Sequence, residues 1–235
     1  MSADRAHVPA PAHIGTLNEK PLHAALKAWY AEPGDRLEVP LGGFVIDIVR
    51  DDLLIEIQTG TFSALKHKLP ALLDAHPLRL VYPIPREKWI VKLDADGAVI
   101  GRRRSPKRGM IADVAAQLVS FPALLDHANF TLDVLLTQED ELRQRDESRR
   151  AWRRRGWVIV ERRLLDVVAQ AQFSSTRDVL ALLPEALPDP FTTADIAAGL
   201  GRPRRLAQQC AYCLRETGVI TAVGKRGNAY LYRRA

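Results

Sequence analysis

The stretch from Phe44 to Gln58, FVIDIVRDDLLIEIQ, constrains the fold more than any other. It reads as two short strands joined by a tight Asp51-Asp52 turn, with period-two alternation on both sides. Val45, Asp47 and Val49 share one face of the first strand, and Leu54, Glu56 and Gln58 share one face of the second. A two-residue turn pairs Arg50 with Leu53, brings Val49 to Leu54 and sets Asp47 opposite Glu56. Two carboxylates facing each other on adjacent strands repel. A hard divalent cation such as Mg2+, which takes carboxylate oxygens, turns that cost into a site. The plainer reading makes both acids solvent-facing residues of an ordinary amphipathic hairpin. Against it, Ile46, Ile48, Ile55 and Ile57 make one face strongly apolar, and Val45, Val49 and Leu54 make the acidic face partly so. A hairpin apolar on both sides belongs inside a sheet, where a carboxylate needs a partner.

At 235 residues the chain holds one large or two small domains. Its 47% hydrophobic and 26% charged content is that of a soluble globular protein. The formal charge is +6, and residues 141–235 carry 18 Lys and Arg against 10 Asp and Glu. An excess gathered in one part of the chain points to a polyanionic partner, most simply nucleic acid, or else to a well-solvated basic surface. No apolar run is long enough to cross a membrane, and the N-terminus lacks a signal-peptide core, so a cytoplasmic location is expected. Cys210 and Cys213 form a single C-x-x-C, which cannot close a four-ligand zinc site. On a helix they read as buried thiols.

Residues 1–13, rich in Ala, Pro and His, are expected to be disordered. Thr16 to Glu19 fits a capping box opening a helix striped by Leu22, Ala25, Leu26 and Trp29 and ended by Pro33-Gly34. Glu19 either caps this helix or points at the hairpin carboxylates. Leu37 to Pro40 is a short strand ahead of the hairpin. A helix is expected from Phe62 to Ala75, with Lys66 and Lys68 early in it. Leu78 to Ile84 is an apolar run bounded by prolines, as in a strand covered on both faces. A second hairpin, Trp89 to Leu93 and Ala98 to Arg102, delivers a basic loop whose Arg103, Arg104, Lys107 and Arg108 are phosphate-binding candidates or solubilising charges. A helix from Ile111 to Val119 and a strand from Phe130 to Leu136 complete an α/β unit over residues 14–140.

Residues 141–160 read as a basic connector, ending in the arginine cluster Arg149 to Arg155. Trp157 to Ala171 is ambiguous between strand and helix. Thr192 or Thr193 caps a short helix with a turn at Gly201. A second helix follows whose buried side is Leu206, Cys210, Cys213 and Leu214. Its other side shows Arg204, Arg205, Gln208, Tyr212 and Arg215. A last hairpin carries Lys225 and Arg226 at its tip. Helix, tight turn, helix and basic hairpin make a winged helix, assigned to residues 161–235. Such a module places its second helix in a major groove and its wing on phosphates, or else docks protein. A homodimer is left open.

Asp47, then Glu56-Ile57-Gln58, then a helix and a buried strand resemble the core of the PD-(D/E)XK nuclease superfamily over roughly residues 14–140. The whole chain also looks like a bacterial family that joins this domain to a winged helix. The resemblance implies an α/β fold with a restriction-endonuclease-like mixed sheet flanked by helices. It implies Mg2+ or Mn2+ held by Asp47 and Glu56, with Glu19 as a helical acid. One departure stands out, since Gln58 occupies the family's lysine position. Glutamine orients water but supplies neither a base nor a cation, so Lys66, with Lys68 second, is the expected lysine from the following helix. Two functions follow. One is a metal-dependent DNA nuclease in repair, restriction or defence. The other is a non-catalytic DNA-binding protein or transcriptional regulator with a degenerate nuclease-like domain.

Overall fold

The computed structural model describes residues 20–146 and 156–235. Helix α1 (Pro21–Tyr30) leads into strands β1 (Arg36–Leu41), β2 (Phe44–Arg50) and β3 (Leu53–Ile57). Helix α2 (Lys68–Leu73), strands β4 (Leu78–Leu93) and β5 (Val99–Arg104), helix α3 (Ala115–Leu118), and strands β6 (Phe130–Arg145) and β7 (Trp157–Phe173) follow. The strands form one mixed sheet in the order β1-β2-β3-β4-β6-β7, with β5 also on β4. β4 runs parallel to β3 and β6, and the other pairs are antiparallel.

The hairpin register is the one its turn dictates. Arg50 pairs with Leu53 and Val49 with Leu54, with Asp51 at φ 52° in the turn. Of the four isoleucines, Ile48, Ile55 and Ile57 pack with Leu22, Leu26 and Tyr30 of α1 on one face of the sheet. These three α1 residues lie four apart, so they share one side of the helix. Ile46 instead joins the larger core on the opposite face, with Leu54, Leu69, Leu72 and Leu80.

Under α1 the sheet buries a charge. Asp133 is fully buried and accepts hydrogen bonds from the Tyr30 hydroxyl and, at 2.9 Å, from Gln170 Nε2. Burial, and then the bond to Asp133, push the Tyr30 phenol up to about 12. Tyr30→Phe removes the donor while leaving the carboxylate buried, and is expected to cost about 1–3 kcal/mol in urea unfolding.

β4 and β6 are longer than their apolar segments suggest. Pro77 bounds β4 at its start, but Pro85 does not end it, because the strand runs on to Leu93. Nor does the first domain end at residue 140. β6 continues to Arg145, and β7 pairs back along it from Trp157. Glu141, the first residue of the expected connector, and Glu139 just before it are both buried. Arg162 meets Glu139 at 2.8 Å, and Lys88 meets Glu141 at 2.5 Å. The boundary expected at residue 161 thus falls inside a strand. The N-terminal cap, Glu19 and the cluster Arg149 to Arg155 lie outside the described residues.

β7 is an edge strand of the sheet among the described residues. Its pairing skips Val160, Leu165 and Val168, and these three bulged residues are all exposed. Bulges interrupt the flat hydrogen-bonding edge that a second strand would need.

The C-terminal part comprises α4 (Thr193–Leu200), α5 (Arg204–Glu216) and the hairpin β8 (Ile220–Arg226) and β9 (Ala229–Arg234). Thr192 and Asp195 form a capping box on α4, and Gly201, at φ 60°, makes the left-handed turn that a side chain would resist. α5 buries Leu206, Cys210, Cys213 and Leu214 in the same core as the sheet. The Cys210 and Cys213 thiols lie against the Ala112 and Ala115 carbonyls, and burial pushes both thiols up to about 12. Among the described residues, no helix is long and apolar enough to cross a membrane.

Candidate functional site

β2 and β3 stay paired only from the turn to Ile48 and Ile55. Beyond that point β2 pairs with β1 through Ile46 and Val45, while Glu56 and Ile57 pair with Leu80 and Val81 of β4. In a regular hairpin the Ile57 N–H would bond to the backbone of β2. Here it donates to Asp47 Oδ2 at 2.7 Å. The Asp47 carboxylate therefore sits in the fork between the strands. His23 Nε2 of α1 lies 3.2 Å from the same oxygen.

Glu56 stands beside this fork, 9% exposed. Lys68 Nζ, from the first turn of α2, is 2.6 Å from Glu56 Oε2 and also donates to the Val45 carbonyl at 2.6 Å. The ammonium is close to Oε2 but off the hydrogen-bonding angle, so this buried oxygen has no hydrogen bond. Burial first, and the Asp47 charge second, push the Glu56 carboxyl up to about 7, against the pull of Lys68. Two carboxylates close enough to repel, one of them paired with Lys68, are groups that could hold a hard divalent cation. Among the described residues no three His, Cys, Asp or Glu side chains gather as a closed metal cage. Mg2+ needs none, since it is commonly held by one or two carboxylates and keeps water and phosphate in its other positions.

The remaining candidates divide. Gln58 turns away, its Nε2 donating to Thr61 O at 3.1 Å and its Oε1 accepting from Gly60 N at 3.2 Å. The turn uses both ends of the amide that was expected to orient water. Lys66 is exposed, and Lys68 takes the position expected of it. The predicted continuous helix is instead a 3-10 turn at Phe62–Leu65 followed by α2, and Lys66 falls between the two. His23 was missed. Its one sequence signal is its position four residues after Glu19, the spacing of one helix face.

Arg204, Arg205, Gln208, Tyr212 and Arg215 are all exposed on α5, with Arg215 5.8 Å over the Tyr212 ring. Lys225 and Arg226 are exposed at the hairpin tip, Lys225 lying 4.8 Å from the Tyr230 ring centre. In the basic loop, Arg103 and Lys107 are exposed, whereas Arg104 and Arg108 both clasp Glu87.

Residues 20–174 match the family described as "Domain of unknown function (DUF8091)". The chain belongs to the DUF8091 family. The match ends where β7 ends, so the DUF8091 domain is the sheet with its α1–α3 helices, and α4 to β9 follow it. An uncharacterized protein of Treponema pallidum (strain Nichols) is 33% identical over 223 residues, covering 94% of this chain and 87% of its own length. An alignment of that length spans the DUF8091 domain and the C-terminal part together. No solved structure matches the chain.

Proposed function

We propose that the chain is a divalent-metal-dependent nuclease of PD-(D/E)XK type, with its C-terminal part serving as a winged helix that holds DNA. The observation that carries this reading is the fork itself. Asp47 and Glu56 stand together where β2 and β3 part, beside a lysine. Asp47 and Glu56 would hold Mg2+ or Mn2+, which lowers the pKa of a coordinated water and polarises the phosphate. The Ile57 N–H and His23 orient Asp47. Lys68 supplies the cation that Gln58 cannot, tethered to the Val45 carbonyl at the rim of the fork.

The test is cleavage of plasmid, linear, single-stranded and branched DNA with Mg2+ or Mn2+. Asp47→Ala and Glu56→Ala each should lower the rate about a hundredfold or more, since several kcal/mol of metal-derived stabilisation is lost. Lys68→Ala should also impair cleavage, and Lys66→Ala should leave it unchanged. Metal-dependent cutting that survives both carboxylate substitutions removes the site.

The engaged Gln58 amide and the exposed basic row on α5 favour a second reading, a non-catalytic DNA-binding protein. Under that reading the wild type binds DNA and never cuts it with either metal.

A further inference from the structure

β3 leaves β4 at Val81, and β5 does not join it until Trp89. Between these points β4 has no strand on that edge among the described residues. The Val81 carbonyl faces the edge, since it accepts the Gln58 N–H at 2.9 Å. By alternation Pro83 and Pro85 face it too. Neither proline has an N–H, so opening the sheet here orphans no donor at those two positions. The Pro85 carbonyl is capped by the Gly109 N–H at 3.0 Å.

The gap is the floor of a cleft of about 690 Å³ whose walls carry Lys88, Lys107, Arg108, Arg162 and Arg202, against Asp113 as the one lining acid. Lys88, Arg162 and Arg202 are built in, whereas Lys107 and Arg108 are exposed. Glu141 and Glu139, both buried, hold Lys88 and Arg162 from behind. Arg202, just ahead of α5, bonds to Asp113 at 3.0 Å and to the Arg108 carbonyl, tying the basic loop to the C-terminal part. Lys107 has no acid at ion-pair distance among the described residues. Tyr82 and the two prolines add flat apolar faces to the lining. Thr59, three residues beyond Glu56, forms one wall and lies 3.5 Å from Arg162 through its carbonyl.

We propose that this cleft binds the backbone of one nucleic-acid strand and leads it toward Glu56, so that the preferred ligand is a strand free of its complement. The binding stands on the cleft alone, and only its direction toward Glu56 rests on the nuclease reading. A gap in the sheet edge lined by cations suits a single backbone and its phosphates. A duplex would instead be met by an exposed helix such as α5.

Fluorescence anisotropy of the full chain in EDTA, with a labelled single-stranded oligonucleotide and the same sequence as duplex, tests this. The wild type should bind the single strand more tightly. Lys107→Glu with Arg108→Glu should weaken that binding at least about tenfold and flatten its salt slope by about 1.4, the loss of two phosphate contacts. Lys107→Glu alone, at an exposed side chain, should give part of the effect in a protein whose fold it does not touch. Arg204→Glu with Arg205→Glu should change single-strand affinity less than about threefold. Duplex bound as tightly as single strand by the Arg204→Glu, Arg205→Glu variant, whose α5 contact is removed, unchanged single-strand affinity in the Lys107 variants, or a mononucleotide bound as tightly as the oligonucleotide would each overturn the proposal. Cleavage is scored separately. Single-strand binding lost in the Lys107 variants, in a protein that never cuts, sinks the nuclease reading and leaves the cleft standing.

Discussion

Between pH 4 and pH 8, Glu56→Gln should gain about 3 kcal/mol of stability relative to the wild type. The sign follows from proton linkage. The Glu56 carboxyl is pushed up from 4.5 to about 7 in the fold, by burial and by the Asp47 charge. The folded state therefore binds the proton more tightly than the unfolded chain does. The resulting stabilisation is complete below about pH 4.5 and is lost as pH rises through about 7. A shift of this size corresponds to about 3 kcal/mol. Glutamine mimics the protonated form at every pH and keeps an oxygen toward Lys68, so its urea midpoint should stay flat where that of the wild type falls. Saturating Mg2+ at pH 8 should then narrow the gap, because a cation held by the ionised pair stabilises only the wild type. A gap independent of pH would mean that Glu56 titrates alike in the folded and unfolded chain, and would remove the electrostatic basis of the site.

Gly109→Ala should destabilise the protein by about 2–3 kcal/mol or more. A Cβ there would meet the Pro85 carbonyl oxygen at 2.5 Å and Ile84 Cγ2 at 2.6 Å. The first of these is backbone, and it accepts the Gly109 N–H, so the two chains cannot separate without losing that bond. Overpacking of this kind shifts backbone rather than a rotamer. Gly101→Ala is the matched control. Nothing lies within 4 Å of its Cβ, so a change within about 0.5 kcal/mol is expected. Equal urea midpoints for the two variants would show that the basic loop is not pinned to β4.

The reach of sequence reasoning followed the range of the forces involved. The register from Arg50–Leu53 to Val49–Leu54 was legible because a two-residue turn fixes it locally. The buried row of α5 was legible because 3.6-residue periodicity is also local. The far half of the sheet was not. Glu139 and Glu141 look like surface residues until Arg162 and Lys88 arrive from other strands to neutralise them. Nothing near them in sequence announces those partners. Pro85 reads as a strand end, because proline forbids a neighbour on its N–H side. β4 runs on because it has no strand on that side there. At the site, the expected pairing of Asp47 with Glu56 does not form, because β2 and β3 part after Ile48 and Ile55 and Glu56 pairs with Leu80 of β4. The two acids still lie close enough to interact, and the lysine beside them is Lys68 rather than Lys66. Gln58 was read from its place beside Glu56, whereas a local turn bond decides where its amide goes.

β4 and β6 pass without interruption from the strands around Glu56 to the outlying strands around Trp89 and Trp157. Leu80, which sits across from Glu56, and Trp89 are nine residues apart on one extended chain, a span of about 30 Å. The molecule thus carries a built-in ruler. On the proposed nuclease reading, a strand held near Trp89 would meet Glu56 only after crossing that length, so the reacting bond would be set by distance from the hold rather than by its own sequence.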